Sequence, residues 1–213
     1  TLLKTPGFNK LIVVQADNHP YGFSEETEAV SGSLTASIIA DASNKTLFFH
    51  TRAMFLAIII SIEKIIPHPI PLQILWPDRI YWSDKEICQI KTEKSHINPD
   101  FIVLGFSLLV NTANNLLFHN SHQETTSLQI QTSRQHSASR LLYNIIVSYY
   151  DLTAQQEDIL HQRYLSLLYK ASEEIEINGF RGILDTVDKD GRLRVHNHSC
   201  TEYFIQGQVR VDR

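Results

Sequence analysis

The chain has 213 residues, of which 43% are hydrophobic and 20% charged, and its formal net charge is −4. That is enough apolar sequence for one folded domain with a small appendage. No basic run accompanies the charge, so nothing electrostatic points to nucleic acid or an anionic membrane as a partner. Two distant cysteines, Cys88 and Cys200, do not make a disulfide framework; a reducing compartment, the cytoplasm, is the expectation. The start, "TLLKTPGFNK", lacks the features of a signal peptide. The most apolar stretch, "AMFLAIIISI" (53 to 62), is about half as long as a bilayer span.

In chain order, "KLIVVQAD" (10 to 17) is a short β-branched run bounded by Gly7 and "NHPYG", which predicts a strand entering a loop. That loop carries Glu25, Glu26 and Glu28, and "SLTASIIA" (33 to 40) follows as a second strand. "TRAMFLAIIISIEKII" (51 to 66) is long enough for a buried helix, with Pro67 as its stop. "LQILWPDRIYWSDKEICQIK" (72 to 91) reads as a strand, a tight charged turn and a second strand. "DFIVLGFSLLVN" (100 to 111) suits a central strand, in which Gly105 marks a close backbone approach. The polar segment 112 to 136 reads as loop. "SRLLYNIIVSYYDL" (139 to 152) has helical spacing. "TAQQEDILHQRYLSLLYKAS" predicts another helix, with Thr153 and Gln156 as a capping box. After 171 to 178 the texture changes to short strands broken by Asp-Lys-Asp-Gly and His-Asn-His-Ser turns, a small all-β unit. The expected class is α+β: a mixed β-sheet packed by helices over 1–172, then a small β-barrel-like domain over 173–213.

Several strings, in this order, resemble biotin protein ligases. These enzymes join biotin to ATP and pass it from biotinyl-adenylate to a lysine of a carboxyl carrier protein. "LIVVQADNHPYGF" resembles the strand that leads into the family's phosphate loop, and "SLTASIIA" the strand after it. "LWPDRIYWSDKEICQI" resembles the Lys-Trp-Pro-Asn-Asp hairpin and the strand with the catalytic lysine. "IVLGFSLLVN" resembles the Gly-Ile-Gly-Ile-Asn-Val-Asn strand. "TTSL" (125 to 128) resembles the Thr-Ser-Leu before the last helices, and "RGILDTVDKDGRLRV" with "IQGQV" the C-terminal barrel. The resemblance implies a class II synthetase-like fold. It also implies ligand-binding roles for His19, Gly22, Trp76, Pro77, Asp78, Arg79, Gly105 and Asn111. If the activity is kept, it implies biotin and Mg-ATP as cofactors and a biotin carboxyl carrier domain as partner; a homodimer is a further possibility. The family's Ser-Thr-Asn motif has no visible counterpart.

The departures concern charge. The family's Gly-Arg-Gly-Arg-Arg-Gly loop is reduced here to Gly22 followed by Phe23, Ser24 and Glu25. Leu75 stands for the hairpin's first lysine, Asp78 and Arg79 for Asn-Asp, Glu86 for the catalytic lysine and Gln89 for a glycine. Ser107 and Leu109 replace a glycine and an asparagine, and His19 a glutamine. A charge-assisted hydrogen bond to phosphate is worth roughly 1.5–3 kcal/mol, so losing two arginines costs roughly 3–6 kcal/mol. Adenylation needs positive charge around its phosphoryl transition state. Lys85 is the remaining candidate for a catalytic lysine, and strand alternation points it to the face opposite Glu86 unless the turn shifts the register.

The residues therefore support two readings: a ligase-like binding or regulatory module without adenylation, or an active ligase using displaced residues such as Lys85 or Arg79. No metal site is expected. His196, His198 and Cys200 have ligand chemistry but no evident fourth partner, and His119 and His122 fall in the polar loop.

Overall fold

The computed structural model describes residues 12–16, 32–66, 68–95, 98–114, 119–120, 123–207 and 209–210. His19, Gly22, Glu25, Glu26, Glu28, Pro67 and His122 lie outside the described residues.

The centre is a six-stranded sheet in the order β1-β2-β6-β5-β4-β3. Its strands are β1 (Ile12–Ala16), β2 (Ser33–Asp41), β3 (Leu72–Leu75), β4 (Arg79–Trp82), β5 (Lys85–Lys94) and β6 (Phe101–Leu109). Every neighbouring pair is antiparallel, so the sheet is not the mixed one that the sequence suggests. The segment 72–91 makes three strands rather than two, because the Trp76–Asp78 turn and the Ser83–Asp84 turn each reverse the chain. The apolar run of β6 does sit centrally, between β2 and β5. Gly32, at φ +88, closes the approach between β2 and the end of β6, where a Cβ would stand 2.5 Å from the Asn111 carbonyl oxygen. Only glycine fits there.

Helix α1 (Leu47–Glu63) is buried over most of its circumference, as its apolar sequence demands. It begins four residues before the predicted start because Thr46 caps it, accepting from the Phe49 amide at 3.1 Å. Thr51 Oγ1 donates to Thr92 Oγ1 at 3.0 Å, which ties the helix to β5. Helices α3 (Ala138–Thr153) and α4 (Glu157–Ser166) pack on α1 from outside. The predicted capping box does not form. Thr153 ends α3 and donates to the Tyr150 carbonyl, while Gln156 is the α4 N-cap without a side-chain cap bond.

The polar segment 112 to 136 holds structure that its weak pattern concealed: β7 (His119–Asn120), β8 (Gln123–Glu124) and the short helix α2 (Leu128–Thr132). After α4 the chain runs along β3, with Ile74 and Leu168 in a parallel bridge. It then enters a five-stranded sheet, β12-β11-β10-β9-β13. These strands are β9 (Glu174–Ile177), β10 (Phe180–Val187), β11 (Leu193–His196), β12 (Thr201–Phe204) and β13 (Val209–Arg210). Among the described residues this sheet is open rather than a closed barrel.

Candidate functional site

Side chains alternate faces along a strand, and directly paired residues share a face. The register therefore defines two rows across the sheet. One runs Leu34, Leu108, Cys88, Ile80, Ile74; all five are buried and belong to the same core as α1. The next row, on the opposite face, runs Thr35, Ser107, Gln89, Arg79, Leu75. This front row is the candidate site. It carries a hydroxyl pair, Thr35 Oγ1 and Ser107 Oγ at 3.0 Å. Gln89 donates through Nε2 to Asp78 Oδ2 at 3.4 Å.

A β-bulge decides what else faces front. Arg79 pairs with Gln89 and Ile80 with Cys88, but Tyr81 pairs with Glu86, so Ile87 is an extra residue. Without it, Glu86 would point to the back. With it, Glu86 turns to the front, and Arg79 Nη1 meets Glu86 Oε2 at 3.1 Å. The Glu86 side chain is only 2% exposed, and that of Arg79 is 21% exposed. The Thr126 amide donates to the Glu86 carbonyl, so the chain at Thr125 runs alongside. Asp78 also approaches Arg79, at 3.6 Å. Burial raises the Asp78 carboxyl, with Arg79 opposing. Burial weakens the Arg79 charge, but Glu86, Asp78 and Tyr81 outweigh it and hold the guanidinium charged. Further along the front of β5, Lys91 is held by Glu93 at 2.6 Å.

The other predicted site residues are placed differently. Lys85 sits at the exposed start of β5, 3.2 Å from Glu124. It pairs with Trp82 rather than joining the front row. Trp76 is 2% exposed and donates its indole N–H to the Gly191 carbonyl at 2.9 Å, which ties the turn to the C-terminal sheet. Pro77 follows it through a cis peptide bond. Gly105 lies between Ser37 and Lys91 in the next front row. Asn111 brackets the His136 backbone, donating to its carbonyl at 2.8 Å and accepting from its amide at 2.9 Å. The "TTSL" string ends in a helix cap, since Ser127 caps α2 and donates to the Thr112 carbonyl. Among the described residues, no group of three or more His, Cys, Asp or Glu is arranged to hold a metal, and no helix is long and apolar enough to cross a membrane.

Sequence reasoning passed over Thr35 and Glu124. The alternation of Ser33, Thr35 and Ser37 in β2 was the available signal for the first. Nothing in the sequence announces the second, which depends on the short β8 strand.

The architecture defines a class: an antiparallel sheet with helices on one face and a second small sheet, the fold of biotin protein ligases. A biotin protein ligase mutant from Aquifex aeolicus in complex with biotin superposes with a TM-score of 0.78 at 15% identity, covering 94% of this chain and 88% of that one. The same organism's ligase in complex with biotin and ATP gives 0.76 at 16% identity, with the same coverage. A biotin protein ligase-like protein of unknown function from Silicibacter gives 0.64 at 14% identity, covering 81% of this chain and 78% of that one. No family model matches the sequence, and no curated protein matches it. This chain has a biotin ligase-like fold.

At the two positions that the resemblance gives to lysines, the structure holds Leu75 and Glu86. Leu75 is a buried aliphatic. Glu86 is an anion, and the guanidinium of Arg79 is engaged by it. Like charges in a poorly solvated site repel strongly.

Proposed function

We propose that this protein is a biotin ligase-like module without adenylation activity, which binds a small molecule or a protein partner on the front of its sheet. One observation carries the reading: the Arg79–Glu86 ion pair. It sits where the resemblance places an acid and the catalytic lysine, and its polarity is reversed. An enzyme that activates a carboxylate with ATP stabilises developing negative charge on phosphate. A buried carboxylate at the lysine position opposes that charge, and a cation already engaged by carboxylates gives it little support. The division into a ligase-like domain over 1–172 and a C-terminal domain over 173–213, a cytoplasmic location and a homodimer belong to the same proposal. Calorimetry with biotin, lipoate and ATP tests it. Weak or no ATP binding is expected; tight ATP binding with biotin-dependent pyrophosphate release would overturn it.

A second reading, an active biotin ligase acting on a carboxyl carrier domain, draws support from the end-to-end fold likeness to a ligase holding biotin and ATP. It also draws on Arg79, whose side chain keeps partial access to solvent. Incubation with a carrier domain, biotin and Mg-ATP separates the two, since only the second reading yields biotinylated carrier.

A further inference from the structure

Helix α3 turns an apolar stripe to solvent. Its buried residues, Leu141, Ile145, Ser148, Tyr149 and Leu152, lie on the side that packs on α1. Arg140, Tyr143, Val147 and Asp151 lie on the other side. They are spaced three, four and four residues apart, which places them in one stripe about 16 Å long. All four are exposed, Tyr143 at 67% and Val147 at 36%. The two apolar side chains occupy the middle of the stripe and the two charges its ends.

Those charges stand at the unfavourable ends of their helix. Arg140 is in the first turn of α3 and Asp151 in the last. A helix is positive at its N-terminus and negative at its C-terminus, so its dipole disfavours a cation in the first turn and an anion in the last. No acidic residue in the first turn of α3 and no basic one in the last offsets this. Helix α4 follows the opposite and ordinary arrangement, with Glu157 and Asp158 in its first turn and Arg163 in its last. Among the described residues, no ion pair engages Arg140 or Asp151.

We propose that this stripe is the contact between two copies of the chain, packed α3 against α3 in antiparallel fashion. A two-fold axis near Val147 lays the N-terminus of one helix beside the C-terminus of the other. Arg140 of each protomer then meets Asp151 of the other, and each charge lies at the helix end that favours it. Val147 meets its own counterpart on the axis, flanked by Tyr143, and the apolar middle leaves water. The same residues thus supply both sides of the match, which is what a two-fold contact requires. The proposal rests on the homodimer named under the proposed function and assigns it a surface; it does not depend on the loss of adenylation.

Sedimentation equilibrium of the whole chain tests it. One helix pair is at the small end of specific interfaces, so a reversible monomer–dimer equilibrium with a dissociation constant of about 10–100 µM is expected. Arg140→Asp or Asp151→Arg alone sets like charges against each other at both ends and should weaken the dimer at least about tenfold. Each reversal also suits its own helix end, so the monomer should fold at least as well as before. A mixture of the two single variants restores both ion pairs and should associate about as tightly as the unmodified chain. A dimer indifferent to either reversal, or a mixture that stays monomeric, overturns the α3 contact and leaves the homodimer standing. A monomer at every concentration up to about 1 mM overturns both. Neither result bears on adenylation, which calorimetry with ATP reads separately.

Discussion

Leu34, Leu108, Cys88, Ile80 and Ile74 form one row across the central sheet, while Thr35, Ser107, Gln89, Arg79 and Leu75 form the next, one residue along each strand. The first row faces α1 and consists of buried hydrophobic side chains. The second carries hydroxyls, an amide and an ion pair. Strands that share a backbone register thus answer to two different demands. The back row has only to fill volume beneath a helix, and many apolar sequences do that, so the architecture persists at 13–16% identity to ligases of known structure. The front row carries Glu86, held against Arg79, where the resemblance expects a lysine, so its charge differs although the backbone does not. Fold likeness therefore carries no activity with it.

The contrast can be broken most directly from the back. Phe106→Ala empties a fully buried position beside that row and should cost about 3–5 kcal/mol. Urea denaturation measures this, and a loss below about 1 kcal/mol would mean that the core is not packed as described. Next comes pH. His50 on α1 is buried and bonded to Tyr149 OH at 2.7 Å. Burial depresses its pKa from 6.5 to about 4, with Asp41 opposing and Lys45 adding to the fall. The unfolded chain therefore takes up this proton first as pH drops. The stability contributed by neutral His50 is complete above about pH 6.5 and declines towards pH 4, by up to about 3 kcal/mol. His50→Gln should flatten that part of the pH–stability curve; an unchanged slope would exclude the histidine as its source.

Smaller effects sharpen the front. Glu86→Gln leaves Arg79 without its buried partner, and since Arg79 keeps partial access to water the cost should be about 1–3 kcal/mol. Replacing both residues, Arg79→Met with Glu86→Leu, should cost less than the sum of the two single changes in a double-mutant cycle; strict additivity would show that the pair does not interact. Lys85→Ala removes an exposed ion pair with Glu124 and should change stability by less than about 1 kcal/mol. It should also leave ligand binding unaltered, as calorimetry would show. A large loss of binding would put Lys85 into the site.

The long apolar segments were legible from composition and period. The central place of β6, the buried α1 and the small β unit after residue 171 follow from unbroken hydrophobic runs and from turn residues that only a few backbone shapes accept. The hairpin string "LWPDRIYW" was visible too, but the partners of its side chains were not. Trp76 has a ligand-binding role by the resemblance; its indole N–H is satisfied by a carbonyl 115 residues away, a partner that no local pattern encodes. Asn111 likewise has a ligand-binding role by the resemblance, and both ends of its amide bond the backbone of His136. The capping box at Thr153 gave way because α3 extends through that residue, and tertiary packing overrides a local signal of about 1 kcal/mol.

By itself the sequence determined which segments must be buried and which positions lack the expected positive charge, because both are properties of residue type. Tertiary structure alone decided which face each charge occupies. One extra residue at Ile87 rotates Glu86 to the front and brings it against Arg79. A bulge is a relation between two strands, settled by packing on both faces at once, so neither strand read singly contains it.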